Sequence, residues 1–159
     1  IERYLSALRK ETDLYAQYLK DKKIVSIYIG GGTPTVLSAT QLGKLIDHIG
    51  EAFDFGQGRI SISSESNPRI LAGVNGDAKL SMLVSRGLDR LNIGVQSSDR
   101  NLLKQVGRGY YSSDDVIKSV ELARKKGIET INLDFMLGLP DQKITDVAKD
   151  LELVAELKP

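Results

Sequence analysis

The chain has 159 residues and a formal net charge of +1, with 22 basic against 21 acidic side chains. A chain of this size forms one domain with a real core, and its balanced charge gives no electrostatic case for nucleic acid or an anionic membrane as partner. No apolar run approaches the ~20 residues of a membrane span, no signal peptide is visible, a cytoplasmic location is expected, and the absence of cysteine excludes disulfides and thiolate-held metal within these residues.

Ile1, Leu5, Leu8, Tyr15 and Leu19 recur at helical spacing and predict an amphipathic helix over residues 1–20. K-I-V-S-I-Y-I, residues 23–29, reads as a buried strand running straight into G-G-G-T-P-T. Three adjacent residues without side chains weaken a backbone unless the chain must turn tightly or something must come close to it. A plain turn, a phosphate cradle and a pocket floor are the open alternatives. The spacing is not that of a dinucleotide fingerprint, and no lysine follows as in a phosphate loop.

Ser38–Gln41 has the form of a capping box, and Leu42, Leu45, Ile46, Ile49 and Phe53 share one face of the helix it opens. The single histidine, His48, is expected on the solvent side of that helix. R-I-S-I-S-S, residues 59–64, alternates as a strand, and Ala78–Arg86 reads as a helix closed by Gly87. L-D-R-L-N-I-G-V, residues 88–95, is a third strand. Asp99 caps a short helix carrying Leu102, Leu103 and Val106. Ser113 caps a longer one, acidic at its start (Asp114, Asp115), basic at its end (Arg124, Lys125, Lys126) and closed by Gly127, as the helix dipole favours. E-T-I-N-L-D-F, residues 129–135, is the fourth strand, and Ile144, Val147, Leu151, Val154 and Ala155 mark one face of a last helix.

A helix followed by four strand–helix units requires parallel strands covered by helices, an α/β fold that is either a slice of a barrel or a doubly wound sheet. The chain starts on a helix and stops at Lys158-Pro159, where another strand is due. It therefore reads as an internal piece whose open sheet edges favour self-association.

Ligands of parallel α/β folds bind beyond the carboxyl ends of the strands. Thr33, Glu65, Gln96 and Asp134 stand there, roughly 31–38 residues apart, close to the ~31 per unit of an eight-unit barrel of ~250 residues. Backbone groups of the glycines at 30–32 can hold an ammonium or a carboxylate. Glu65 can accept from a ribose diol or pair with an ammonium, or simply be a solvated loop carboxylate. Gln96 offers both a donor and an acceptor, for a ligand carboxylate or hydroxyl or as a packed structural amide. Arg108, between two glycines, has a guanidinium fork suited to a carboxylate, although a lone arginine is more often a surface residue. Asp134 lies among apolar neighbours, where burial is costly without a partner. G-L-P at 138–140 reads as a rigid turn.

Taken in order, G-G-G-T-P-T, E-S-N-P, R-L-N-I-G-V-Q-S, L-L-K-Q-V-G-R and N-L-D-F-M-L-G-L-P-D-Q resemble the radical S-adenosylmethionine proteins of the oxygen-independent coproporphyrinogen oxidase and haem-chaperone (HemW-like) family. The resemblance implies a partial (β/α)₆ barrel of the TIM type with S-adenosylmethionine across its strand ends. Gly31, Gly32 and Thr33 would border the methionyl amino group and Glu65 the ribose or amino-acid part. Gln96, Arg108 and Asp134 would complete the pocket. It implies a [4Fe–4S] cluster in the full-length protein only, because the family's C-x-x-x-C-x-x-C motif is absent here and the chain alone is expected to be inactive.

The same resemblance implies reductive cleavage of S-adenosylmethionine with hydrogen abstraction from a porphyrin-pathway substrate, an electron donor as partner, and missing N-terminal and C-terminal parts. A haem chaperone without oxidase activity and a methyltransferase on the same core are the alternatives. Ser98, Tyr110 and Leu137 stand where the family often has phenylalanine, histidine and tyrosine, departures that bear on the substrate side.

Overall fold

A computed structural model describes residues 1–53, 55 and 60–159. Four strands form one sheet: β1 (Ser26–Ile29), β2 (Ser61–Ser66), β3 (Leu88–Gln96) and β4 (Thr130–Phe135). They are ordered as in the sequence, and every neighbouring pair is parallel. Right-handed crossovers between strands laid down in sequence put all the connecting helices on one face. The strand order never reverses, so the sheet is a barrel segment that has not closed, and the doubly wound alternative is excluded.

The helices are α1 (Glu2–Leu19), α2 (Ala39–Ala52), α3 (Pro68–Ala72), α4 (Gly76–Ser85), α5 (Arg100–Gln105), α6 (Ser113–Lys125) and α7 (Ile144–Leu157), with a 3-10 turn at Pro34–Val36. The core lies between sheet and helices. Leu91, Ile93 and Val95 of β3 are fully buried there, packed with Leu80, Leu83, Val116 and Val120. Each such side chain contributes roughly 1.5–3 kcal/mol by leaving water. The alternate positions, Glu65, Asn92, Gly94, Asn132 and Asp134, face away from the helices and are partly or wholly exposed. A closed barrel fills this inner face with branched apolar side chains; here it is polar and open.

Local chemistry explains the helix starts. In α2, Ser38 Oγ accepts from Gln41 N at 3.2 Å while Gln41 Oε1 accepts from Ser38 N at 2.9 Å, the reciprocal box its sequence predicts. Asp99 Oδ1 accepts from Asn101 N and Leu102 N at the start of α5. The cap of α6 is Ser112, one residue before the predicted Ser113, because Asp115 Oδ2 accepts from its N–H at 2.8 Å.

Several expectations need correction. The strand expected over 23–29 is only Ser26–Ile29 and is buried at Ile29 alone: Val25 precedes it and is exposed, and Tyr28 is exposed on the open inner face with Glu65 and Asn92. The strand expected over 59–64 runs Ser61–Ser66, so Glu65 is inside it; Arg59 lies outside the described residues. Helix α3 is unforeseen, opened by Asn67 Oδ1 accepting from Ile70 N and by Pro68 in its first turn. Of the apolar stripe on α1 only Leu5 is buried. His48 is half-buried against α1 rather than solvent-facing, its Nε2 2.9 Å from Asp13 Oδ1. On α7 the buried residues are Asp150, Leu153 and Leu157, whereas Ile144, Leu151 and Ala155 of the predicted face are exposed. That helix is turned so that its one buried carboxylate meets donors from the loop after β3.

Candidate functional site

At the carboxyl end of β1 the backbone enters Gly31 and Gly32 at φ +88° and +69°, the left-handed region that β-branched or bulky residues avoid. A Cβ on either would meet nothing within 4 Å, so the requirement there is conformational. Gly30 is different. A Cβ on it would lie 2.4 Å from Tyr28 Cε1 and 2.9 Å from Glu65 Oε1, so its missing side chain is what lets those two groups close over the strand.

The turn is anchored from below. Thr35 and Ser66, both buried, share a hydrogen bond of 2.7 Å between their hydroxyls. Lys79 Nζ donates to the Thr35 carbonyl, and burial holds its pKa below the ordinary lysine value.

Glu65, at the end of β2, is held at both oxygens. Oε1 accepts from the Tyr28 hydroxyl at 2.6 Å and Oε2 from Gly31 N at 3.2 Å. Tyr28 in turn accepts from Asn92 Nδ2 at 3.0 Å. Donation to the Glu65 carboxylate raises the Tyr28 pKa, with the Asn92 amide opposing. Asn92 Oδ1 is buried and has no partner among the described residues, an acceptor left free at the site.

The end of β3 carries an irregularity: pairing with β4 shifts between Gly94 and Gln96, and Gln96 has φ +64°. Its amide Nε2 lies 2.8 Å from where a Gly94 Cβ would stand, and Arg108 Nη1 lies 3.9 Å from the same point. Gly94 therefore makes room for two polar side chains. Tyr111, directly behind, donates to Val95 O at 2.7 Å. Asp134, at the end of β4, is exposed rather than buried among apolar groups, and its Oδ1 accepts from Asn132 Nδ2 at 2.7 Å. The G-L-P turn that follows is tied by Gln142 Oε1, which accepts from Gly138 N and Leu139 N.

Six of the seven residues singled out in the sequence line a single cavity of ≈ 200 Å³: Gly32, Thr33, Glu65, Gln96, Arg108 and Asp134. Gly31 stands beside it and reaches it through the bond to Glu65. The same cavity is lined by Ser66, Asn67, Asn92 and Gly94, which sequence reasoning missed. Alternation carried a signal for Asn92, since Leu91 and Ile93 point to the core, and for Tyr28 between Ile27 and Ile29. A larger cavity of ≈ 480 Å³ runs along the free edge of β1, among Tyr4, Leu8, Ile27, Ile29, Leu45 and Ile49. Its lining includes no charged side chain, so it offers packing surface rather than chemistry.

The radical SAM superfamily profile matches residues 7–154. The chain belongs to the radical SAM superfamily. Among curated members, the haem chaperone HemW of Bacillus subtilis is 35% identical over 157 residues, covering 99% of this chain and 40% of that protein. The oxygen-independent coproporphyrinogen III oxidase of Helicobacter pylori is 35% identical over 158 residues, covering 99% of this chain and 34% of that protein. The chain thus spans about two fifths or less of the length of these relatives. Among solved structures, the radical SAM enzyme coproporphyrinogen III oxidase (HemN) of Escherichia coli superposes with a TM-score of 0.89 at 31% identity, over 99% of this chain and 35% of that one. The radical SAM methyltransferase TsrM of Kitasatospora setae superposes at 0.67 with 20% identity, which shows a shared fold alone.

Proposed function

We propose that the strand-end cavity binds S-adenosylmethionine and that the chain is the core of a coproporphyrinogen oxidase-like radical SAM protein. The observation that carries this is the convergence of Glu65, Asp134, Gln96 and Arg108 on one small polar basin beside a left-handed glycine pair. Two carboxylates and one guanidinium sum to one negative charge, which complements a ligand bearing a sulfonium, an ammonium and a carboxylate. A volume of ≈ 200 Å³ is below the about 300–1,000 Å³ of pockets that enclose a whole drug-sized ligand. It fits the amino-acid end, with the nucleoside across the open rim.

In this reading Arg108 grips the ligand carboxylate through its fork, while Glu65 and the backbone near Gly31, Gly32 and Thr33 hold the ammonium. Asn92 Oδ1, buried and unpartnered among the described residues, accepts from a ligand donor. When bound, S-adenosylmethionine supplies the adenosyl group that takes a hydrogen from substrate after one-electron reduction. These residues orient it and keep water off the sulfonium.

The chain contains no cysteine, and no three His, Asp or Glu side chains converge as metal ligands among the described residues. We assign the cluster's thiolates, any substrate domain and the electron-donor contact to parts of a longer protein. Porphyrin or haem as substrate class rests on the names of the relatives, and the HemW relative at 35% identity keeps the chaperone reading alive. No helix among the described residues is long and apolar enough to cross a membrane, and we propose that the protein works in the cytoplasm.

Calorimetric titration of S-adenosylmethionine into the intact protein tests the site. Saturable binding that Glu65→Gln weakens roughly tenfold, the scale of losing a charge-assisted hydrogen bond, is expected. Unaltered binding in that variant refutes the assignment. Anaerobic turnover of coproporphyrinogen III, set against haem titration, separates oxidase from chaperone.

A further inference from the structure

Asp150 lies in the middle of α7, 3% exposed, and belongs to none of the groups that line the cavity. Its Oδ1 gathers three donors from the loop that follows β3. These are Ser98 N at 2.6 Å, Ser98 Oγ at 2.6 Å and Ser97 Oγ at 3.4 Å. Ser97, itself 1% exposed, also accepts from Asp99 N at 3.1 Å, the residue that caps α5. One carboxylate therefore ties the last helix to the two residues directly after Gln96.

Gln96 needs such a tie. It is not glycine, yet it sits at φ +64°, a conformation that persists only where surroundings over-determine it. On its amino side, Val95 O accepts from Tyr111 and from Ser97 N. On its carboxyl side, Gln96 O accepts from Met136 N at 2.8 Å, and Asp150 anchors the two residues that follow. A buried carboxylate is expensive unless its partners repay it; every donor it receives among the described residues comes from this one loop and reaches Oδ1, while Oδ2 is buried without a partner among them. Leu153 and Leu157 supply the apolar part of the same buried face of α7.

We infer that Asp150 is a positioning residue: through Ser97 and Ser98 it fixes the backbone of Gln96 so that the Gln96 amide is delivered over Gly94 into the strand-end cavity. This rests on that cavity being the S-adenosylmethionine site. Contact between α7 and the ligand is not required.

The test is a double-mutant cycle on S-adenosylmethionine affinity in the intact protein, read by calorimetry, with thermal melts alongside. Asp150→Ala is expected to weaken binding roughly tenfold in the native background and less than about twofold when Gln96 is already alanine, because coupled residues are non-additive. Asp150→Asn, which keeps an acceptor at Oδ1, restores most of the affinity. A role confined to stability would lower the melting temperature and weaken binding equally in both backgrounds, and that result overturns the inference. So does native affinity in Asp150→Ala. Should Asp150→Ala fail to fold, Ser98→Ala runs the same cycle, with roughly a threefold loss expected only when Gln96 is present and equal losses overturning the inference. Absence of binding by the unmodified protein overturns the site assignment together with this inference; normal binding with an uncoupled Asp150 overturns this inference alone.

Discussion

Replacing Tyr111 by phenylalanine removes one hydroxyl from beneath the site, and its consequence reverses with pH. Tyr111 is 2% exposed, and its hydroxyl donates to Val95 O at 2.7 Å. That carbonyl also accepts from Ser97 N at 2.8 Å, so it keeps a partner in the variant. Loss of one neutral hydrogen bond then costs about 1 kcal/mol near pH 8. Burial pushes the Tyr111 phenol up to about 12, with Arg108 opposing, against about 10 in the unfolded chain. The folded state holds the proton more tightly, so the associated stability is fully present below pH 10. It is lost as pH rises from about 10 toward 12, at about 1.4 kcal/mol per pH unit. The variant has no such loss. At about pH 11 the native protein has given up about 1.4 kcal/mol and the two stabilities cross. Urea unfolding of both proteins between about pH 8 and 11 reads this directly, because the remaining tyrosines of the six are present in both and cancel. A difference that stays constant over that range would show that the phenol is hydrated in the folded state and refute the reasoning.

The glycines at 30 and 31 separate by mechanism. Gly31→Ala adds a Cβ in open space but at φ +88°, so it lowers stability by about 1–2 kcal/mol in a thermal melt. Gly30→Ala drives the Tyr28 ring and Glu65 Oε1 aside, and is expected to weaken S-adenosylmethionine binding more than it lowers the melting temperature. In the core, Leu91→Ala on central strand β3, fully buried in the native protein, costs about 2–5 kcal/mol by denaturant titration. A loss under about 1 kcal/mol there would mean the cavity collapses far more completely than in typical cores.

What the sequence determined by itself was whatever short-range chemistry encodes. The capping box at Ser38 and Gln41, the Asp99 cap, the glycine turn after β1 and the strand–helix alternation all depend on neighbours within a few residues. The Ser38–Gln41 box, the Asp99 cap and the glycine turn formed where their residues specify them, and the alternation formed with shifted bounds for β1 and β2 and one added helix, α3. The ranks of Thr33, Glu65, Gln96 and Asp134 were legible because parallel strands joined by helices return to the same end at a regular chain interval.

Tertiary structure decided which faces are covered. Tyr28 and Val25 look like core residues in a β-branched run, yet both are exposed, Tyr28 on the sheet face that no helix covers, whereas Ile29 beside it is buried. The α7 stripe marked by Ile144 and Leu151 is more apolar than the face that is buried. Asp150 turns the helix, because its carboxylate finds donors in Ser97 and Ser98 fifty residues earlier in the chain. The link from Tyr28 to Glu65 and Asn92 joins three strands in the same way. Periodicity reports that a helix or strand has two faces; which of them water leaves is settled only when distant segments supply the groups that replace it.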